Sequence, residues 1–174
     1  MRPWELADAD FVFDLYSRWE VQRFIGLVPR VMESRGEAVE SIRRRQELDH
    51  PVHQIWAVAD ARDGQLFGNL LLKPIPSSAS DTPPKPAADI EIGWHFHPNS
   101  WGSGYATEAA AAVLRHAFAH DVEEVVAVTA PDNLPSQRVC TRLGMTPRGQ
   151  TTRYYDTTCE LFTLPNPNPR RSPR

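Results

Sequence analysis

The sequence predicts an α/β domain built on a mixed, mostly antiparallel sheet flanked by helices. Three observations predict it. Two strand-like runs, "HQIWAVAD" and "QLFGNLLLKPI", flank Ala61-Arg62-Asp63-Gly64, whose Asp-Gly ending marks a hairpin. From Ala106 the apolar residues Ala109, Ala110, Val113, Leu114, Ala117 and Phe118 recur at the three-and-four spacing of one buried helix face. "EEVVAVTAP" and "NLPSQRVCTRLGM" then read as a short apolar strand followed by a second helix of that half. A chain of 174 residues suits one domain with a substantial core.

Taken in order, Asp8 to Phe24 places Phe11, Val12, Leu15, Trp19 and Phe24 at roughly helical spacing, with Asp8 as N-cap, and predicts a first helix. Ser34 followed by Glu37 forms a capping box that opens a second, largely exposed helix to about Leu48, whose Arg43-Arg44-Arg45 run reads as a solvated face. After the hairpin, "PIPSSASDTPPKPAA" holds five prolines among small polar residues and predicts a loop between strands. "DIEIGWHFHP" resumes as a strand, and a helix runs from about Gly104 to His120. The helix after "EEVVAVTAP" has Pro135 in its first turn and Gly144 past its end, the usual asymmetry of helix termini. "RGQTTRYYD" and "CELFTLP" close the fold as a hairpin. The domain is expected over residues 1–164, with a disordered tail over 165–174.

Charge and composition narrow the function. With a net charge of −3, and with basic clusters confined to Arg43–Arg45 and the C-terminal arginines, no nucleic-acid partner is implied. "MRPWELADADF" lacks a basic n-region and an apolar h-region, and no apolar stretch approaches membrane-spanning length, so a cytoplasmic protein without a membrane partner is expected. Cys140 and Cys159 have neither metal-ligand nor disulfide-framework spacing. His95 and His97 share a strand face but have no third ligand at suitable spacing, so no metal is expected. A monomer or homodimer is expected.

"HPNSWGSGYATEA" places two glycines directly before a helix. A helix N-terminus presents unpartnered backbone N–H groups and the positive end of the macrodipole, and glycine lets a ligand approach closely, so this turn suits an anion such as phosphate. A tight turn requiring φ > 0 explains the glycines equally well until other words are added. The order of elements, together with "HPNSWGSGYATEA" and "APDNLPSQRVCTRLGM", resembles the GNAT superfamily of acyl-CoA-dependent N-acyltransferases. "WGSGYATEA" followed by "N..S.RV...LGM" is most similar to the RimJ/RimL-like branch of ribosomal-protein N-terminal acetyltransferases.

The resemblance implies acetyl-CoA as donor, with its pyrophosphate on the N–H groups of Gly102, Ser103, Gly104, Tyr105, Ala106 and Thr107. It places the pantetheine arm along Phe96, His97 and Pro98, with the Asn133 side chain holding it. It implies an amine acceptor, first a protein N-terminus and next a small-molecule amine. Three features depart from the family pattern. Met1 immediately precedes Arg2-Pro3, so most of the first strand is expected to be missing; the proline loop is long; and the position of a tyrosine acid is Cys140.

The remaining residues supply the chemistry. An α-amino group with pKa about 8 is partly neutral at physiological pH, so a weak base suffices. Glu91 on the central strand is the expected base, through water, with Asp89 on the same face one pleat earlier, and a carboxylate merely hydrogen-bonded beside the site is the other reading. The strand from Trp94 to Phe96 can offer an N–H to the oxyanion. The resemblance implies that Ser136, one helical turn beyond Asn133, hydrogen-bonds the leaving sulfur, with a helix-start hydroxyl satisfying backbone N–H groups as the other reading. Tryptophans are more often core than binding platform, but the resemblance, in which the first two helices shape the acceptor site, implies that Trp4, Trp19 and Trp56 can border an acceptor groove. A non-catalytic acyl-CoA-binding or regulatory module is the alternative, while the absence of a Gly-Lys-Ser/Thr ending argues against a nucleotide phosphate loop.

Overall fold

The computed structural model describes residues 1–79 and 89–169. Seven strands form one sheet in the order β1-β2-β3-β4-β5-β7-β6. They are β1 (Arg2–Pro3), β2 (Gln54–Ala59), β3 (Leu66–Pro74), β4 (Ile90–Phe96), β5 (Glu124–Thr129), β6 (Thr146–Thr151) and β7 (Cys159–Pro165). Every pairing is antiparallel except that of β4 with β5. The first strand is short, as expected, pairing Arg2 with Ala57 and Pro3 with Trp56.

Helix α4 (Tyr105–Ala119) buries Ala109, Ala110, Val113, Leu114 and Ala117, the periodic stripe read from the sequence. They pack on Leu70, Leu72, Ile92, Phe96 and Val125 of the sheet, joined by Cys140 of α5 (Leu134–Arg142). The opposite face is covered at one end by α1 (Ala9–Ser17) and α3 (Arg35–Gln46), through Val12, Leu15, Ala38 and Ile42. At the other end Ile75, Val126, Tyr154 and Leu161 form a smaller cluster.

The first helix is not continuous. After α1 the chain extends at Arg18 (φ −89, ψ 120) and re-enters the short α2 (Trp19–Gln22). The Tyr16 carbonyl, which a continuous helix would offer to Glu20, instead accepts from the Met32 N–H at 2.8 Å, so a tertiary bond breaks the periodic run. Asp8 holds the N-cap position of α1, as expected, but its side chain does not cap that helix. Its carboxylate binds the Arg2 guanidinium through two bonds of 2.7 Å each and accepts from the Glu5 N–H at 2.9 Å.

At α3 the Ser34 hydroxyl accepts from the Glu37 N–H at 3.3 Å, while the Glu37 carboxylate reaches the N–H of Glu33 at 3.2 Å, one residue earlier than in a capping box. The Arg43–Arg45 run is not wholly a solvated face: Arg45 turns inward against the rings of Trp4 and Tyr16. The packed chain also continues past residue 164. Pro165 belongs to β7, and the buried Asn166 donates through Nδ2 to the carbonyls of Val122 at 3.1 Å and Phe118 at 3.3 Å. The proline loop from Pro74 to Pro86 lies mostly outside the described residues, as do residues 170–174.

Candidate active site

β4 and β5 share two rungs, Ile90 with Val125 and Glu91 with Val126. Beyond them β4 stays on β3 and β5 stays on β7, so the facing edges part. Antiparallel pairing fixes what this gap presents. The His97 N–H donates to the Phe67 carbonyl at 2.9 Å, which puts the backbone polar groups of His95, Gly93 and Glu91 on the β3 side and those of Trp94 and Phe96 on the open edge. The Phe96 carbonyl accepts from the Trp101 indole at 2.8 Å. The N–H and C=O of Trp94 and the N–H of Phe96 can therefore receive an extended arm as an added strand. Of the three residues expected along that arm, Phe96 borders the gap. His97 commits its N–H to β3 and its ring to the Asn99 N–H and Asp14, at 3.2 Å each, and Pro98 has no N–H to give.

The glycine turn lies at the same end of β4. Gly102 and Gly104 hold φ of 77 and 85, left-handed values that side chains resist, and a Cβ at either would meet nothing within 4 Å. The turn's outer surface is thus open. Glu108 makes the first bond of α4, to the Gly104 carbonyl at 3.0 Å, and the N–H groups of Gly102, Ser103, Gly104, Tyr105, Ala106 and Thr107 find no protein acceptor among the described residues. Six such donors at a helix N-terminus are suited to an anion. Tyr105 is fixed by stacking on Phe67, with centroids 4.1 Å apart. An opening of about 500 Å³ bordered by Gln65, Asn99, Ser103 and Tyr105 lies beside the turn.

At the far side of the gap, Asn133 caps α5 by accepting from the Ser136 N–H at 3.3 Å, which leaves its Nδ2 for a ligand. The Ser136 hydroxyl has no protein partner among the described residues, so it is not a helix-start cap. Thr129, which ends β5, buries a hydroxyl that also has no partner there. These groups suit an amide-bearing arm. Cys140 cannot replace a tyrosine acid, because it lies in the core and burial pushes its thiol up to about 12.

Glu91 points to the face opposite α4 and is buried. Burial raises its pKa, while the Tyr155 hydroxyl, donating to Oε2 at 2.5 Å, and Lys73 on the paired strand pull it back down. Asp89 is instead tied to the Tyr154 hydroxyl and to Arg153 at 3.0 Å. Ser78 pins the tyrosine loop: it donates to Thr152 O at 2.7 Å and accepts from the Asp156 N–H at 2.9 Å. Tyr155 and Asp156 hold left-handed φ of 58 and 53, a conformation the surrounding bonds must maintain. Nothing but the aromatic pair in "RYYD" marks these tyrosines in the sequence.

Further along the same face the His95 Nδ1 meets the Tyr16 hydroxyl at 2.9 Å. His95 and His97 therefore serve separate partners, and among the described residues no three metal-ligating groups converge. A cavity of about 680 Å³ opens here, lined by Tyr16, Ile25, Met32, Ser41, Arg45 and His95. Of the three tryptophans expected at an acceptor groove, Trp4 is buried, with its indole on Asn69 at 3.0 Å, and Trp56 packs edge-on to His116 on the α4 side. Trp19 alone of the three is exposed.

The divided sheet, glycine turn and capped second helix define an acyl-CoA-dependent transferase fold. A family model described as the acetyltransferase (GNAT) domain matches residues 1–146, and the chain belongs to that family, whose acyl donor is acetyl-CoA. A 60-residue stretch is 43% identical to an uncharacterized N-acetyltransferase, YnaD, of Bacillus subtilis, covering 34% of this chain and 35% of the relative. The chain thus spans about a third of that relative's length. An acetyltransferase of the GNAT family from Bacillus anthracis superposes with TM-score 0.75 at 21% identity, over 96% of this chain and 94% of the other. RimL, a ribosomal L7/L12 alpha-N-protein acetyltransferase solved with coenzyme A, superposes with TM-score 0.73 at 14% identity, over 94% and 92%. Both share the fold. Among the described residues no helix is long and apolar enough to cross a membrane.

Proposed function

We propose that this chain moves an acetyl group from acetyl-CoA to a primary amine, with a protein N-terminus as the first acceptor class and a small-molecule amine as the second. The observation that carries this reading is the β4/β5 gap, which joins the open N–H groups of the glycine turn at one end to the buried Glu91 and Tyr155 pair at the other. The donor supplies an acetyl thioester. Gly102 to Thr107 would hold its pyrophosphate, and the Trp94 carbonyl, the Phe96 N–H and the Asn133 amide its arm. The Trp94 N–H is available to a developing oxyanion. Ser136 would donate its free hydroxyl to the departing sulfur.

Glu91 is the base in this reading. Burial raises the pKa of its carboxyl above the ordinary carboxylate value, which strengthens it as a base that takes a proton from the amine through water. RimL acetylates an α-amino group by its name, which supports the first acceptor class. The test is release of CoA from acetyl-CoA with a panel of peptides and small amines. Amine-dependent release is expected; tight CoA binding with no release on any amine would favour an acyl-CoA-binding module.

A further inference from the structure

We propose that the cavity between α3 and the outer face of β4 recognises a carboxylate on the acceptor through the guanidinium of Arg45. The identity of that ligand as an acceptor rests on the amine-acetylation reading. The charges around the cavity are unevenly matched. Arg30 pairs with Glu37 at 2.6 Å, and Glu40 pairs with Arg43 at 2.5 Å, which satisfies both lining carboxylates. Arg44 and Arg45 also line the cavity and have no carboxylate partner among the described residues. An anion that enters therefore meets two unmatched cations.

Arg45 is the more committed of the two. Its guanidinium carbon lies 5.2 Å from the ring centres of both Trp4 and Tyr16, and its Nη1 is buried without an acceptor among the described residues. Ring faces offset part of the desolvation of a guanidinium but give Nη1 no acceptor. A carboxylate can accept from two guanidinium N–H groups at once, a geometry no neutral amide can match. The slot is held in place because Trp4 is fixed by Asn69 at 3.0 Å and Tyr16 by His95 at 2.9 Å.

Two further features fit an amino acid or peptide terminus. Ile25 and Met32 give the cavity an apolar wall for an aliphatic stem. Burial and the Arg45 charge together hold His95 down to about 4, so the ring stays neutral and the local field is positive. The carboxylate could be the main-chain group of a free amino acid or the side chain of an acidic peptide N-terminus.

Matched pairs separate these sources: leucine against leucinamide, and a glutamyl peptide against its glutaminyl counterpart. Each is titrated by calorimetry into the CoA-saturated enzyme. In at least one pair the acid is expected to bind roughly tenfold or more tightly than the amide, the scale of a charge-assisted bond, and this ratio should fall as salt is raised. Arg45→Met keeps the stem against the rings and is expected to bring the ratio near one. If it does not fold, Arg45→Lys reads the same ratio, which should drop several-fold without the planar fork. Equal affinity for acid and amide in the wild type, or a preference that survives substitution, would overturn the subsite. CoA release is scored separately: Arg45-dependent acid binding without release on any amine would sink the transfer reading and leave the subsite standing.

Discussion

Tyr155 reaches Glu91 across 64 positions of sequence, and that single bond makes the pH behaviour of the site testable. The hydroxyl stabilises the charged carboxylate, so Tyr155→Phe removes a downward pull and Glu91 rises further above the ordinary carboxylate range. The acid limb of kcat/KM should therefore move to higher pH in Tyr155→Phe, with the alkaline rate less affected. An unmoved limb would detach Tyr155 from the base. Glu91→Gln keeps the shape without the base, so its defect should shrink as pH approaches the pKa of the amine; a pH-independent loss would assign Glu91 to structure. Ser136→Ala should lower kcat about ten- to a thousandfold at every pH with little change in acetyl-CoA affinity. Glu91 and Ser136 are candidates that the sequence offers because each stands within a short local word. The contacts of Tyr155 with Glu91 and of Arg45 with Trp4 and Tyr16 join different elements, so no local word carries them.

At the scale of elements, the turn before α4 combines two left-handed glycines with six N–H groups that have no protein acceptor among the described residues. Gly104→Val forces a β-branched residue to φ of 85 and places its side chain on the open surface that would meet phosphate. Calorimetry should show CoA affinity falling at least tenfold while circular dichroism reports a folded chain; wild-type affinity would remove the phosphate-loop assignment. The helix over Asp8 to Phe24 shows where periodicity fails. Its apolar spacing is real, but the Met32 N–H takes the Tyr16 carbonyl, and one tertiary bond ends the helix.

For the whole molecule, β4 (Ile90–Phe96) runs about 20 Å, at 3.3 Å per residue, from its first residue to the end that carries the glycine turn. Shortening the chain between residues 80 and 87 should leave the KM for acetyl-CoA nearly unchanged, and a large rise would contradict this layout. The N-terminal strand is tied to the domain by Arg2 and Asp8. Burial raises the Asp8 pKa, but the bonds from Arg2 and the Glu5 N–H outweigh it and hold the group below its ordinary value. A depressed folded pKa stabilises the protein above the unfolded value near 3.9, and that stability is lost as pH falls through the folded value. Urea unfolding should show Asp8→Asn less stable by about 1–3 kcal/mol at pH 7, with the difference narrowing below about pH 4. An unchanged difference at pH 3 would count against the pair.

The sequence by itself determined the fold class, the strand and helix order from residue 54 onward, and the glycine turn, because hydrophobic period, turn residues and helix-end signals act between neighbours in the chain. Tertiary structure alone decided the parting of β4 from β5, the Tyr155 bond to Glu91 and the inward turn of Arg45. Each depends on which distant segments pack together, and burial then sets the charge state and hydrogen bonding of groups whose local sequence is silent.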